Sequence, residues 1–395
     1  MMVIEQLEVP IVQAPLAGGP STVELAVAVS EAGGLGFLAG GYTTPEALRE
    51  SIARTRSMTG RPFGVNIFVP GRGPADPDAV RRYTDRLRPE VARAGVALGE
   101  PRFDDDHYAT KLALLKDEAP AVVSFTFGCP ESAIIHDLQR RGCAVRVTVT
   151  GPGEAGRAVE AGADALVVQG IEAGGHRGGF DDREDREDYG LLALLQLVRA
   201  RADVPLVAAG GIATGAAIAA VLAAGAAAAA LGTAFLRCPE AATSPPHRAA
   251  LATAQPTGLT RAFTGRLARS IVNRLQTEYS AEAPLAYPEV HYLTAPLRAH
   301  GRASGDPDVI NLWAGQAHAL GQDVPAGELV TRLMDEARSA VDRVHRPLAR
   351  DPGGKAQTGG AGHRDRYASG RRCYGRQWGH TGRSQHGHCD SERAG

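Results

Sequence analysis

Eight short apolar runs recur along the first 231 residues and constrain the fold more than any other feature. Turn residues bound the runs, and most of the intervals between them carry a helical pattern. The runs are Pro10–Ala14, Leu35–Ala39, Phe63–Phe68, Ala121–Phe127, Ala144–Val149, Ala165–Gln169, Pro205–Ala209 and Ala227–Leu231. Strands that are apolar on both faces and alternate with helices form parallel sheets covered on both sides. Eight such units predict an α/β fold of the (β/α)8 barrel type.

The alternative is an open dinucleotide-binding sheet, which places a G-x-G-x-x-G loop after its first strand. This chain has Gly18-Gly19-Pro20 there instead, so the barrel is favoured. The first helix is predicted to begin with a capping box at Ser21-Thr22-Val23-Glu24, with Ser21 as the cap. Gly33-Gly34 supplies the left-handed stop.

The chain divides into three predicted regions: a barrel over residues 1–237, a helical lid with closing helices over 238–349, and a tail over 350–395. Within the barrel, residues 71–106 are read as a surface excursion with one helix, Pro77–Ala94. The tail is rich in Gly, Arg, His and Ser, and such a composition predicts disorder because it buries too little apolar surface. Its cysteines and histidines fit no zinc spacing, and no metal is expected.

Composition restricts the setting and the partners. The net charge of −1 provides no global field for nucleic acid or an anionic membrane. Five scattered cysteines argue against a disulfide framework and for a reducing cytoplasm. The N-terminus does not resemble a signal peptide, and the longest apolar run, Ala216–Leu231, is too short to span a bilayer. We therefore expect a cytoplasmic protein with no membrane or nucleic-acid partner.

The strongest functional signal is the loop Gly170–Gly179, which has five glycines in ten residues and follows a predicted strand. Glycines let backbone NH groups approach an anionic or planar ligand. His176 lies among them, and its ordinary pKa is near neutrality. A lone histidine is often structural, but barrel enzymes place their chemistry just beyond the carboxyl ends of their strands. The pattern favours a functional role.

Two further glycine loops follow the seventh and eighth predicted strands, at Gly210–Gly215 and Leu231–Ala234. Barrels bind phosphate at these two loops, where NH groups at a helix N-terminus face the anion. The simpler alternative is that the glycines only make tight turns. Together with the histidine loop they predict a phosphate-bearing ligand.

Five segments together resemble the nitronate monooxygenases, formerly 2-nitropropane dioxygenases, of class I. They are Gln13–Gly19, Phe63–Asn66, Ser124–Gly128, Gly170–Gly178 and Ala208–Ile212, and the resemblance extends over about residues 8–345. It implies an FMN-binding barrel with a lid that oxidises alkyl nitronates with O2 to a carbonyl compound and nitrite. The oligomeric state stays open.

The resemblance also implies roles for individual residues. His176 would fix and stabilise a nitronate, or act as a base toward a neutral nitroalkane. Ala230 stands where many relatives carry a polar residue. The implied FMN contacts are Ala14, Pro15 and Leu16 around the ring, Asn66 and Gln169 as hydrogen-bonding groups, and Gly174, Gly211, Ala230, Leu231, Gly232 and Thr233 for ribityl and phosphate. The substrate candidates in the lid are Tyr287, His291 and Tyr292.

Two other functions stay open at this point. The FMN-dependent enoyl-ACP reductases share the Glu-Ala-Gly-Gly-His loop but use NAD(P)H. A flavin-binding barrel without catalysis would leave His176 unexplained. The segment Ser124–Pro130 and the predicted lid favour the oxygenase.

Overall fold

A parallel eight-stranded sheet is the central feature of the structure, a computed structural model that describes residues 4, 7–71, 73–182 and 187–348. Its strands lie side by side in the order Ile11–Gln13, Ala228–Leu231, Leu206–Ala209, Ala165–Gln169, Ala144–Val149, Val122–Thr126, Phe63–Phe68 and Gly36–Ala39. The two ends of this order meet at Leu35, whose NH donates to Ile11 O at 3.0 Å and whose carbonyl accepts from Gln13 N at 2.9 Å. These bonds close the sheet, which confirms the predicted (β/α)8 barrel.

The strands and helices are as follows. The barrel strands are β1 (Ile11–Gln13), β2 (Gly36–Ala39), β3 (Phe63–Phe68), β4 (Val122–Thr126), β5 (Ala144–Val149), β6 (Ala165–Gln169), β8 (Leu206–Ala209) and β9 (Ala228–Leu231), and three further strands are β7 (Gly175–His176), β10 (Thr257–Thr260) and β11 (Ala268–Ile271). The helices are α1 (Val23–Glu31), α2 (Pro45–Met58), α3 (Pro77–Arg86), α4 (Arg88–Ala94), α5 (Tyr108–Glu118), α6 (Ser132–Arg140), α7 (Pro152–Glu160), α8 (Leu191–Arg199), α9 (Gly215–Ala223), α10 (Pro245–Leu251), α11 (Arg274–Tyr279), α12 (Glu289–Ser304) and α13 (Ala326–Leu348).

All eight predicted barrel strands are present, since each predicted run contains one observed strand. Strand residues alternate between two cores because successive side chains point to opposite faces. One set packs outward against the helices. The other set fills the amino-terminal half of the barrel interior with apolar side chains, among them Phe37, Val122 and Val207. The carboxyl-terminal half of the interior is left for a site.

Two local predictions were wrong in detail. The cap of α1 is Thr22, whose hydroxyl accepts from Leu25 N at 3.0 Å, rather than Ser21. The helix predicted over 77–94 is two helices that break at Leu87, because Pro89 lies in the first turn of α4 and has no NH to continue α3. Gly33 does adopt the predicted left-handed conformation after α1, with φ of 86°.

The segment after β9 is helical, as predicted, but it also contains two strands that were not predicted. Strands β10 and β11 pair antiparallel, and β11 pairs in turn with β7, so that Ala268 lies opposite His176. Helices α3 and α4 pack on this segment, and the buried Glu90 pairs with Arg274 at 2.8 Å. The predicted division of the chain at residues 237 and 349 stays a prediction, and the tail prediction for 350–395 lies outside the described residues.

None of the helices within the described ranges combines the length and the apolar character needed to cross a membrane.

Candidate active site

A cavity of about 470 Å³ opens at the carboxyl ends of the barrel strands. Most of the residues predicted for the site line it. They are Ala14, Pro15, Leu16, Asn66, Gln169, Gly174, His176, Gly211, Ala230, Gly232, Thr233 and His291. Three predicted residues do not line it, namely Leu231, Tyr287 and Tyr292. Leu231 is 1% exposed and packs outward into the core between strands and helices.

One side of the cavity is made largely of backbone and small side chains, and we call it the glycine wall (Ala14, Pro15, Leu16, Gly211, Ala230, Gly232 and Thr233). Polar contacts fix its first loop, because Ser21 Oγ accepts from Leu16 N at 2.8 Å and from Gln13 Nε2 at 3.1 Å. Gly211 has φ of 67°, a conformation that favours glycine. The wall therefore offers a ligand a surface with few side chains.

The glycine loop after β8 does not present a free helix N-terminus. The NH of Gly215, the first residue of α9, donates to Glu336 Oε2 of α13 at 2.8 Å. The hydroxyl of Thr214 caps the same helix by accepting from Ala217 N. An anion in the cavity would therefore meet the loop at Gly210 to Ala213, which lines it, and not the end of α9.

The histidine loop is held from both sides. Gln169 lines the cavity, but its amide is used by the loop: Nε2 donates to His176 O at 3.2 Å and Oε1 accepts from Gly178 N at 2.8 Å. On the other side, β7 carries His176 and pairs with β11. Gly174 is required by close packing, because a Cβ there would lie 2.4 Å from Gly315 N. The loop is thus built to place one side chain.

The ring of His176 faces the cavity with one nitrogen engaged. Its Nε2 lies 2.9 Å from Thr264 Oγ1, and Nδ1 has no hydrogen-bond partner within the described residues. Burial and the neighbouring positive charges of Arg266 and Arg298 lower the pKa of His176 to about 3. The imidazole is therefore neutral near pH 7 and keeps a nitrogen available to a ligand.

Around His176 the cavity is lined by rings, which we call the aromatic wall (Tyr42, Phe68, Phe127, His176, His291 and Trp313). The His176 ring lies 5.7 Å from Phe127 and 5.3 Å from Trp313, measured between centroids. Tyr42 stacks flat on His291 at 4.3 Å. Phe127 has φ of 75°, which is unusual for a bulky side chain and places strain at the site.

The two lid tyrosines differ in position. Tyr287 lies behind the aromatic wall, where its hydroxyl donates to Tyr42 Oη at 2.9 Å and its ring contacts His176 at 5.7 Å. Tyr292 instead lies against Arg102, whose guanidinium is 3.7 Å from the ring centroid. Tyr287 can therefore act on the site through its neighbours, whereas Tyr292 is turned away from the cavity.

The charges that line the cavity all have one sign. Among the described residues that line it, Arg146, Arg298 and Arg302 are positive and none is acidic. Arg298 is 6% exposed, and its guanidinium donates to Thr294 Oγ1 at 3.0 Å and to His291 O at 2.7 Å. Burial and the charge of Arg302 lower the pKa of Arg298 to about 10, so it stays charged at neutral pH. Such a cavity favours anionic ligands.

Among the described residues, no three His, Cys, Asp or Glu side chains are grouped to hold a metal ion. Asp106, which the sequence places in a run of three acids, is not a solvated loop residue. Its carboxylate accepts from Tyr42 N at 3.0 Å and pairs with the buried Lys111 at 2.8 Å. It fixes the loop that carries Tyr42.

Sequence reasoning missed most of the aromatic wall and all three arginines. Phe68 and Phe127 lie at or just after the ends of β3 and β4, so the rule that site residues follow barrel strands identifies them. Arg146 is the one charged residue in a largely apolar strand run, which is a signal in itself. Thr264, by contrast, gives no signal in the sequence.

Comparison with known proteins gives a consistent result. A family model described as nitronate monooxygenase matches residues 2–336. A nitronate monooxygenase from Pseudomonas aeruginosa is 42% identical over 341 residues, covering 84% of this chain and 97% of the relative.

Two solved structures share the fold over most of the chain. The nitroalkane oxidase from Streptomyces ansochromogenes has a TM-score of 0.84 and 49% identity, covering 87% of this chain and 99% of that one. FabK from Thermotoga maritima is more distant, with a TM-score of 0.69 and 25% identity, covering 87% and 97%.

Proposed function

Because this chain belongs to the nitronate monooxygenase family, we propose that it binds FMN in the cavity and oxidises alkyl nitronates with dioxygen to a carbonyl compound and nitrite. The observation that carries the proposal is the cavity itself, whose lining among the described residues has three arginines, no acid and a neutral histidine. Both FMN and a nitronate are anions, and both suit this lining.

The residues present fit FMN. A cavity of about 470 Å³ is within the usual range for cofactor sites. The glycine wall leaves room for backbone approach at Gly211 and Gly232, and Thr233 adds a hydroxyl. The Asn66 amide nitrogen donates to Ser124 Oγ at 2.9 Å, while its amide oxygen has no hydrogen bond within the described residues and is left to accept from a ring N–H.

The chain's own residues prepare the site for a preformed nitronate. Bound FMN supplies the electron chemistry. Arg298 and Arg302 attract the anion and help to hold it near His176. The rings of Phe68, Phe127 and Trp313 exclude water, which strengthens these interactions.

The state of His176 favours the nitronate over the neutral nitroalkane. A base whose pKa is about 3 removes a carbon-bound proton poorly at neutral pH. A nitronate has already lost that proton, and its negative charge raises the proton affinity of a nearby imidazole. We therefore assign His176 to orienting and stabilising the nitronate, with Thr264 fixing the ring.

Mixing the purified protein with nitronate under anaerobic conditions tests the proposal. Nitronate should bleach the bound flavin, whereas NADH and NADPH should leave it oxidised. In air, the same mixture should release nitrite, and an equal concentration of free FMN serves as the control. Bleaching by NADH with no response to nitronate would instead assign the protein to the enoyl-ACP reductases.

A further inference from the structure

The least expected residue in the cavity is Arg146, in the middle of β5. It is 1% exposed and lines the cavity. Ser124 pairs in register with Arg146 on one side and with Asn66 on the other. Since alternate residues of a strand share a face, these three side chains lie side by side at one level of the barrel interior.

The guanidinium of Arg146 has no hydrogen bond or ion pair in the described part of the chain. Both Nη atoms are buried without a hydrogen bond, and the charge of Asp164 acts on the group without forming an ion pair. The nearest ring, Phe37, is 6.0 Å from the guanidinium carbon. Burial lowers the pKa of Arg146 to about 10, so the group is still charged at neutral pH. An uncompensated buried charge is costly, and native proteins pair it or use it.

Two other buried arginines near the site, Arg266 and Arg298, are different. Arg266 donates to the backbone carbonyls of Arg177 and Gly179, and its guanidinium lies 3.9 Å from the centroid of Phe127. Arg298 donates to Thr294 and His291. Their donors are satisfied by the protein. The two Nη atoms of Arg146 have no such partner in the described part of the chain, and the residue lines the cavity.

We propose that Arg146 is a flavin-binding residue, whose guanidinium donates to the carbonyl oxygens of the FMN ring and favours the reduced, anionic form of that ring. This inference rests on the proposed function, because it requires FMN in the cavity. The position of Arg146 in the barrel favours contact with the FMN ring rather than with the FMN phosphate. Arg146 lies three residues before the end of β5, which is roughly 10 Å along the strand, whereas the glycine wall lies at and beyond the ends of β1, β8 and β9.

The neighbouring groups support the same assignment. The polar edge of a flavin ring alternates carbonyl acceptors with an N–H donor. Arg146 offers donors and Asn66 offers an amide oxygen at the same level, which is the complementary pattern. A fixed positive charge beside a ring that becomes anionic on reduction stabilises the reduced state.

The test compares the holoenzyme with its Arg146→Gln and Arg146→Lys variants. The readout is the two-electron midpoint potential of bound FMN, measured without substrate. We expect the Gln variant to weaken binding of reduced FMN relative to oxidised FMN about tenfold, which makes the potential more negative by ~30 mV. The Lys variant keeps the charge and should stay near the wild-type potential. Arg140→Gln removes a charge whose side chain is 69% exposed and serves as the matched control.

A second readout does not require reduction. The N3–H of oxidised FMN loses its proton in alkali with a change in absorbance, and a nearby positive charge favours the anion. The pKa of this group should therefore rise by about one pH unit in the Gln variant and remain unchanged in the Arg140→Gln control.

Four outcomes can be distinguished. Loss of FMN from the Gln variant with retention in the Lys variant supports a role for the charge. An unchanged potential in the Gln variant, with only a higher KM for nitronate, overturns the inference and assigns Arg146 to the substrate. Equal midpoint potentials and equal FMN contents in the Gln and Lys variants also overturn the inference. A wild-type protein that binds no FMN refutes the proposed function itself.

Discussion

The glycine wall and the aromatic wall face each other across one cavity but are built in opposite ways. The glycine wall comes from the ends of β1, β8 and β9 and offers mostly backbone. The aromatic wall comes from six separate places in the chain, between Tyr42 and Trp313, and offers side chains. The glycine wall forms where barrel strands end, whereas the aromatic wall forms because distant segments of the chain pack together.

This difference separates two kinds of function. A backbone surface with little side-chain bulk suits a large, invariant ligand such as the phosphate and ribityl chain of FMN. A side-chain surface positions and discriminates a small substrate. Changes in the glycine wall should therefore alter cofactor binding, and changes in the aromatic wall should alter turnover with FMN still bound.

The largest expected effect is at His176 in the aromatic wall. We expect His176→Asn to retain FMN and to lose activity by about 10²–10³-fold, the loss that is typical when one stabilising polar group is removed from an active site. Because the neutral ring acts by orientation and not as a base, the losses on preformed nitronate and on neutral nitroalkane should be similar. Steady-state kcat/KM on both forms, with FMN content from absorbance, measures this.

A clearly larger loss on the neutral nitroalkane would give His176 the base role and contradict the orientation role. Thr264→Val offers a matched test, because it removes the hydroxyl 2.9 Å from Nε2 without changing the imidazole. Thr264→Val should therefore show part of the loss of activity expected for His176→Asn.

The sequence predicted the two walls unequally for a physical reason. Strands β1 to β6, β8 and β9 are apolar on both faces, so they stand out from their surroundings, and the loops that follow them fall at the barrel mouth whatever their composition. Thr264 and His291 reach the cavity only because the C-terminal segment folds back over the mouth. No local pattern encodes that return.

Strands β10 and β11 were missed for a related reason. Their sequences, Thr257–Thr260 and Ala268–Ile271, contain Gly, Arg and Ser and carry no clear alternation. They are strands because β11 pairs with β7 and so holds the histidine loop. Tertiary pairing overrides weak local preference here.

The second-largest effect is expected in the glycine wall. A Cβ at Gly232 would lie 3.3 Å from Leu16 Cδ2, a flexible side-chain end, and the backbone φ of −105° accepts any residue. Gly232→Val should therefore fold but obstruct the cavity, and overpacking of about 1–3 kcal/mol corresponds to roughly ten- to hundredfold weaker FMN binding.

Isothermal titration with FMN measures this change. Gly60→Val is the control, because a Cβ there meets nothing within 4 Å. Gly211→Val is a poorer probe, since φ of 67° strains any side chain whether or not a ligand is present. Full FMN affinity in Gly232→Val would remove the glycine wall from the cofactor site.

Acid should affect the two walls unequally, because only the aromatic wall and its surroundings carry titratable rings. Burial lowers the pKa of His176 to about 3, of His247 to about 4 and of His291 to about 2. The unfolded chain binds these protons near pH 6.5, whereas the folded protein does not. The contribution of these three groups to the free energy of unfolding is therefore fully present above pH 6.5 and falls as the pH drops toward 4, by up to ~1.4 kcal/mol per pH unit for each group.

Urea unfolding at pH 7 and pH 5 measures how the free energy of unfolding depends on pH. His247→Gln should reduce the loss between these values, since the variant has one fewer proton to bind on unfolding. His107→Asn changes an exposed histidine in a left-handed position that asparagine tolerates, and it serves as the control. If the free energy of unfolding of the wild-type protein were the same at pH 7 and pH 5, the lowered pKa values of the buried histidines would be contradicted.

A smaller effect is expected behind the aromatic wall. Tyr287→Phe removes the hydrogen bond to Tyr42 at 2.9 Å, which is worth about 0.5–1.5 kcal/mol, or roughly a two- to tenfold rise in KM for nitronate. Tyr292→Phe keeps the ring that packs against Arg102 and should leave KM unchanged. Equal effects of the two substitutions would show that the wall does not depend on the Tyr42–Tyr287 contact.

The smallest effect is expected from deleting residues 350–395. The last described residue that lines the cavity is His318, the family match ends at residue 336, and α13 ends at Leu348. The deletion therefore leaves both walls intact. The composition of the removed segment buries little apolar surface, so the free energy of unfolding should change by less than about 0.5 kcal/mol and FMN content should not change. Flavin absorbance and thermal unfolding of the truncated holoenzyme measure the two quantities. A loss of FMN would show that the cavity depends on residues 350–395 as well as on the two walls.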